Sequence, residues 1–173
     1  MTFANLRVSV SLWLKNHRLD KRSWLILTAM LSVCFSASAQ VENIKETILG
    51  EVNKLRASGC QCGDEYMSPA GPLVWNELLE KAAVRHAGDM ADHTHFDHVG
   101  TDKSTLSDRI EDTGYVWSTL GENISFGYPD ATSVVHGWKG SDGHCKNMMN
   151  PVFKELGAAR NGTFWVLDLG TQK

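Results

Sequence analysis

The sequence predicts an α+β fold in which helices cover an antiparallel sheet. Three observations carry this reading. Several segments place apolar residues at helical spacing, a hairpin signal closes the chain, and no strand–helix–strand alternation of the kind a parallel sheet needs is present. At 173 residues the chain is about one domain long, and 42% apolar residues with six tryptophans supply a core that a disordered chain lacks.

Charge is unevenly spread. Residues 1–39 hold five Lys/Arg and one Asp, so 12 Lys/Arg face 19 Asp/Glu from Gln40 onward, a balance of −7. An acidic domain without a basic stripe argues against a nucleic-acid partner. Arg7, Lys15, Arg18, Lys21 and Arg22 precede the apolar run Trp24 to Phe35, which is followed by Ser36-Ala37-Ser38-Ala39. The run makes about 18 Å of helix, short of a hydrocarbon core of about 30 Å. The expected organisation is a signal peptide over 1–39, cut after Ala39, and one domain over 40–173, exported to the periplasm or the cell exterior. The rival readings are an uncleaved membrane anchor and a lipoprotein box at Leu31-Ser32-Val33-Cys34, where Val33 stands at a small-residue position.

Export places the cysteines in an oxidising compartment. Cys34 leaves with the signal, so Cys60, Cys62 and Cys145 make one internal bridge with one thiol left over. Cys60 and Cys62 are too close in sequence to bridge each other easily, so one of them is expected to reach Cys145. Cys62, followed by Gly63, is the preferred partner; three free thiols is the alternative.

The elements follow in order. Ile44, Ile48, Val52 and Leu55 form an apolar stripe from Val41 to Ala57, opposite Lys45, Glu46, Glu51 and Lys54, and Ser58-Gly59 stops the helix. Cys60 to Pro72 reads as a loop punctuated by Pro69, Gly71 and Pro72. Asn76 caps a second helix whose buried stripe is Leu79, Ala82, Ala83, His86 and Met90, with His86 read as a hydrogen-bonded core residue. A third, short helix spans Ser104 to Gly114 with Ser104 as its cap. Gly121 to Pro129 reads as turn-rich. A fourth helix begins at Asp130 or Thr132 and carries Val134, Val135 and Trp138, and a last helical turn covers His144 to Met149. Asn161-Gly162 joins Leu156–Arg160 to Thr163–Leu169 as a two-residue hairpin turn.

His93-x-His95-x-x-His98 invites a metal reading, but on a helix only His95 and His98 share a face. A better constellation comes from separate segments: His98, Glu122 in Gly121-Glu122-Asn123-Ile124, and His144 in Ser141-Asp142-Gly143-His144-Cys145. Two imidazoles and a carboxylate suit a divalent ion with an open coordination position, and equally an acid/base pair in a cleft.

Phe96-Asp97-His98, Asp108-Arg109-Ile110, Gly114-Tyr115, Gly121-Glu122-Asn123-Ile124 and Gly137-Trp138 through Ser141-Asp142-Gly143-His144-Cys145-Lys146-Asn147 occur in the order found in one family. Together they resemble a CAP domain (cysteine-rich secretory protein, antigen 5, pathogenesis-related 1; also called SCP-like extracellular), in its short bacterial form. The resemblance covers nearly all of Ile44 to Gly170. It implies a three-layer α-β-α sandwich with a central antiparallel sheet, and a cleft tetrad of two histidines and two acids. His98, Glu122 and His144 match three of the four. Where a second acid stands in animal and plant members this chain has Lys139, Gly140 and Ser141, so the tetrad reads His98, Glu122, Ser141 and His144. Two departures lie outside it: Lys103 replaces a frequent glycine, and the last strand reads Phe164-Trp165-Val166-Leu167-Asp168-Leu169 where a more polar pattern is usual. Asn123-Ile124-Ser125 and Asn161-Gly162-Thr163 fit the glycosylation pattern and are read as structural.

The resemblance further implies zinc or another divalent metal ion on His98 and His144, with no organic cofactor. The expected function is a non-enzymatic binding module for a lipid, a peptide or a cell-envelope component, in contact with the membrane at most peripherally. The alternative is a metal-assisted, peptidase-like hydrolase with Glu122 as general base. A weaker variant makes Ser141 a nucleophile with His144 as base. Ser141 lacks the Gly-x-Ser-x-Gly elbow, and a capping role explains it as well.

Overall fold

A computed structural model of the chain describes residues 44–173. The expected signal peptide, its cleavage point and Cys34 fall outside the described residues. Helix α1 runs over 44–58, buries Ile48 and Val52 completely, and ends at Gly59, whose φ of +69° a side chain would strain. The expected loop contains a small antiparallel hairpin instead, β1 (Cys60–Cys62) with β2 (Glu65–Met67). Its strands are three residues long and carry no apolar alternation, so pattern alone could not reveal them.

Strand β3 (Val74–Trp75) leads directly into α2 (Glu77–His93). Asn76 caps that helix, its side chain accepting from the Leu78 and Leu79 amides at 2.8 and 3.3 Å. Helix α3 (Leu106–Glu111) is capped by Thr105 rather than Ser104. Thr105 and Asp108 form a reciprocal capping box, which a Ser104 cap could not make with residue 108.

The segment read as turn-rich is β4 (Trp117–Phe126), a ten-residue strand paired along its length with β6 (Phe164–Gln172). It was hidden because Glu122 and Asn123 are buried where a strand pattern calls for apolar residues, and because Gly121 makes room for the Phe153 ring, which a Cβ would meet at 2.7 Å. Helix α4 (Ala131–Lys139) is capped by Asp130, and α5 (Asp142–Met149) follows after Gly140 and Ser141.

Strand β5 (Glu155–Asn161) and β6 form the expected hairpin, with the turn one residue later than expected, at Gly162-Thr163. Gly162 alone has positive φ (+57°), the pattern of a turn needing glycine at its first central position.

The sheet order is β3-β5-β6-β4. It is antiparallel apart from the two-residue edge β3, which runs parallel to β5. Alternate residues of β6 feed two cores. Trp165, Leu167 and Leu169 pack with Ile48, Val52, Val134, Val135, Trp138 and Met148 of α1, α4 and α5. Phe164 and Val166 pack with Ala83, Ala87 and Met90 of α2 on the other face. The result is the expected three-layer α-β-α sandwich, with β4 as one exposed edge.

Candidate functional site

The site is built around β4, whose neighbouring residues go to different layers. Glu122 shares the α2 side of the sheet with Ile124, and Asn123 turns to α5. The Glu122 side chain is 3% exposed and fully engaged. Its Oε1 accepts from His98 Nδ1 at 2.6 Å and its Oε2 from Arg109 Nη2 at 2.7 Å. Arg109, on α3 and 1% exposed, also donates from Nη1 to the carbonyls of His98 (3.1 Å) and Ser104 (3.0 Å). One guanidinium therefore fixes the carboxylate and the backbone of the histidine that the carboxylate orients.

His98 sits on the loop between α2 and α3. Asp89 anchors that loop by accepting from Thr101 N (2.8 Å) and Thr101 Oγ1 (2.5 Å), and Asp97 accepts from Val99 N at 2.9 Å. The hydrogen bond that His98 donates to Glu122 raises the pKa of His98 above its ordinary value. Burial pushes Glu122 upward, but the His98 bond and the Arg109 charge prevail and hold it below the usual carboxylate range.

His144 comes from α5. Asn123 Nδ2 donates to the His144 carbonyl at 3.0 Å, and Asn147 Nδ2 donates to Asn123 Oδ1 at 3.0 Å and to the Glu122 carbonyl at 3.3 Å. These bonds tie α5 to the edge strand, and the Cys62–Cys145 disulfide ties it to β1. The imidazole of His144 has no hydrogen-bond partner among the described residues. Burial, and then the neighbouring His98 charge, lower its pKa, the opposite direction from that at His98. Ser141 is the N-cap residue of α5, one turn before His144, but its side chain makes no capping bond.

A second polar layer lies under Glu122. Asp168 is opposite Glu122 in the β4–β6 register and wholly buried, and neither of its oxygens meets a donor. Burial, reinforced by the Glu122 charge, raises its pKa well above the usual carboxylate value and so favours the neutral acid. His86, also fully buried, lies with Nε2 3.9 Å from Glu122 Oε2, beyond hydrogen-bond range, and neither ring nitrogen is satisfied. It lies on the predicted buried stripe, with the Asp97 backbone as the polar group that faces it. Burial lowers its pKa and keeps it neutral.

His93 and His95 are occupied elsewhere, His93 with Asp89 at 3.0 Å and His95 with the Val99 carbonyl at 3.0 Å. Two residues before His98, the ring of Phe96 clusters with those of Phe126 and Phe164, with centroids 5.0 to 6.4 Å apart and Phe96 and Phe126 more than half exposed. A cavity of about 310 Å³ against Tyr115 and Trp117 and one of about 130 Å³ against Val135 and His136 both lie elsewhere.

A sequence model of the cysteine-rich secretory protein family, CAP, matches residues 49–166. The chain belongs to the CAP family. The uncharacterised protein YkwD of Bacillus subtilis (strain 168) is 35% identical to this CAP chain over 96 residues, which are 54% of the chain and 37% of that relative. The crystal structure of an extracellular protein containing an SCP domain from Bacillus anthracis superposes with a TM-score of 0.68 at 26% identity, over 76% of this chain and 41% of that one. An outer surface protein of Borrelia burgdorferi shares the fold (TM-score 0.65, 20% identity, 75% of this chain and 93% of that one). The chain thus spans well under half the length of the Bacillus relatives it matches. No helix among the described residues is long and apolar enough to cross a membrane.

Of the predicted tetrad, the structure joins His98 to Glu122 directly, places His144 in the first turn of α5, and makes Ser141 the N-cap residue of that helix. Arg109 and Asp168 were not predicted as site residues. Arg109 lay inside a quoted motif without a role, and Asp168 was visible only as an acid within an apolar strand.

Proposed function

We propose that this CAP domain is an exported, non-enzymatic binding module whose cleft of His98, Glu122, Ser141 and His144 holds a divalent ion and, through it, a lipid, peptide or envelope component. The carrying observation is the state of Glu122. Both carboxylate oxygens are committed, to His98 and to Arg109, and its pKa is depressed. A general base needs access to water and a pKa near the working pH. The Glu122 side chain is only 3% exposed and its pKa is depressed, so it serves instead to orient His98.

The donor set fits zinc or a similar ion. Glu122 takes His98 Nδ1 and leaves Nε2 free, the carboxylate–histidine arrangement that prepares an imidazole for a metal. His144 brings a neutral imidazole with no competing partner. The ion would supply a positive anchor for an oxygen of the ligand. The exposed Phe96 and Phe126, on the His98 loop and the end of β4, offer an apolar surface, and the acidic balance disfavours anionic headgroups as the principal contact.

The hydrolase reading is disfavoured on the same grounds. Ser141 makes no hydrogen bond to His144 among the described residues, so a nucleophile–base pair is absent there. Digestion of a peptide library by the full chain and by Glu122→Gln tests the distinction. No turnover by either is expected; turnover that Glu122→Gln abolishes would overturn the binding reading.

A further inference from the structure

The three downstream cysteines form a cluster in which one thiol touches a disulfide. Cys60 Sγ lies 3.7 Å from Cys145 Sγ and 3.9 Å from Cys62 Sγ, while Cys62 and Cys145 are bonded to each other. Among the described residues this is the group of three Cys, His, Asp or Glu side chains whose ligating atoms all fall within 4.8 Å. The arrangement follows from local geometry. Residues 60 and 62 stand two apart on β1 and so project to the same side, toward α5, where Cys145 sits in the first turns. Cys62 and Cys145 are wholly buried, whereas Cys60 is partly exposed. Burial raises the Cys60 thiol pKa, and the Lys139 charge opposes that shift.

We propose that Cys60, Cys62 and Cys145 form a thiol–disulfide exchange centre in which Cys60 is the attacking sulfur. The Cys60 thiol gives its proton to solvent, and the thiolate attacks Cys145 Sγ. The Cys60–Cys145 bond forms, the Cys62–Cys145 bond breaks, and the electron pair leaves on Cys62 Sγ, which takes up a proton. One disulfide and one thiol exist before and after, so no oxidant or reductant is consumed. Cys145 is the preferred target. It is the nearer sulfur, and attack on Cys62 would close a bridge between residues two apart on one strand. The migration changes which point of the β1–β2 hairpin is stapled to α5, the helix that carries His144. It also makes the partly exposed Cys60 the route by which an external thiol or disulfide reaches a bridge that solvent does not.

The test is disulfide mapping of the full chain. Protein prepared without reductant is incubated at neutral pH, quenched in acid, alkylated in mildly acidic denaturant and digested, and fragmentation assigns each label and linkage to Cys60 or Cys62. The label is expected on both residues, together with both Cys62–Cys145 and Cys60–Cys145 linkages. Label confined to Cys60 with a single linkage at every incubation time overturns the proposal. In Cys60→Ser, Cys62 must stay unlabelled; labelling there would show that the bridge opens without Cys60. In Cys62→Ser folded in a glutathione redox buffer, a Cys60–Cys145 bridge is expected, and alkylation of both Cys60 and Cys145 contradicts it.

Discussion

Asp168 stands directly across the β4–β6 ladder from Glu122, both on the α2 side of the sheet, and no donor reaches either Asp168 oxygen. A protonated Asp168 beside an ionised Glu122 is the arrangement this geometry favours, because two carboxylates facing each other without a second cation repel. The ionisable groups around them are Arg109 of α3, committed to Glu122, and His86 of α2, whose pKa burial lowers.

The folded chain therefore binds a proton at Asp168 that the unfolded chain releases above the ordinary carboxylate pKa of 3.8. Stability from this site falls as pH rises above that value. Asp168→Asn removes the titration and supplies an amide donor facing Glu122, so it is expected to stabilise the fold at neutral pH by about 1–3 kcal/mol. Denaturant unfolding at several pH values checks this; wild-type and variant stabilities that stay parallel and equal would contradict a neutral Asp168.

Arg109→Met leaves Glu122 buried without its cation and the His98 carbonyl without its donor. Breaking a buried pair from one side costs about 3–5 kcal/mol. Equilibrium unfolding reads this directly, and a loss no larger than a surface substitution would show that the pair does not organise the loop.

His98 titrates above the ordinary histidine value of 6.5 because Glu122 holds its protonated form. A raised histidine pKa stabilises the fold fully below 6.5, and that contribution is lost as pH rises through the folded-state value. His144, depressed by burial and by His98, has the opposite sign, its contribution declining as pH falls below 6.5. NMR titration of the imidazole resonances should place His98 above His144, and Glu122→Gln should bring His98 down. An unchanged His98 titration in that variant would exclude the bond.

Lys103 has φ of +71°, a left-handed conformation that costs a side-chain-bearing residue roughly 1–2 kcal/mol and glycine little. Lys103→Gly should raise stability by up to about 1 kcal/mol, less the entropy of an added glycine. A thermal melt showing destabilisation would mean that the lysine side chain makes a compensating contact.

The layered fold was legible because its helices carry period-3.6 stripes, and the Ile48 and Val52 positions read from them are core residues. Strand β4 was not legible, since Glu122 and Asn123 replace the apolar residues that mark a buried strand. The His98–Glu122 pair could be read from spaced motifs, yet its support could not. Arg109, on a six-residue helix, reads as an ordinary solvated charge until Glu122 is seen beneath it. Asp168, between Leu167 and Leu169, was the visible irregularity, and its meaning depended on the register that places it opposite Glu122. Lys103 was likewise visible as a departure, and only its backbone angle gives the reason.

His98, oriented by Glu122, and His144 are proposed to hold a divalent ion together. Calorimetric titration of zinc into the full chain, without reductant so that Cys62–Cys145 stays closed, tests it most directly. Wild type should bind one ion at this cleft, and His98→Ala with His144→Ala should weaken that binding by at least about 100-fold, the upper range for loss of a single outer-shell partner. Equal affinity in a folded double variant would contradict the account.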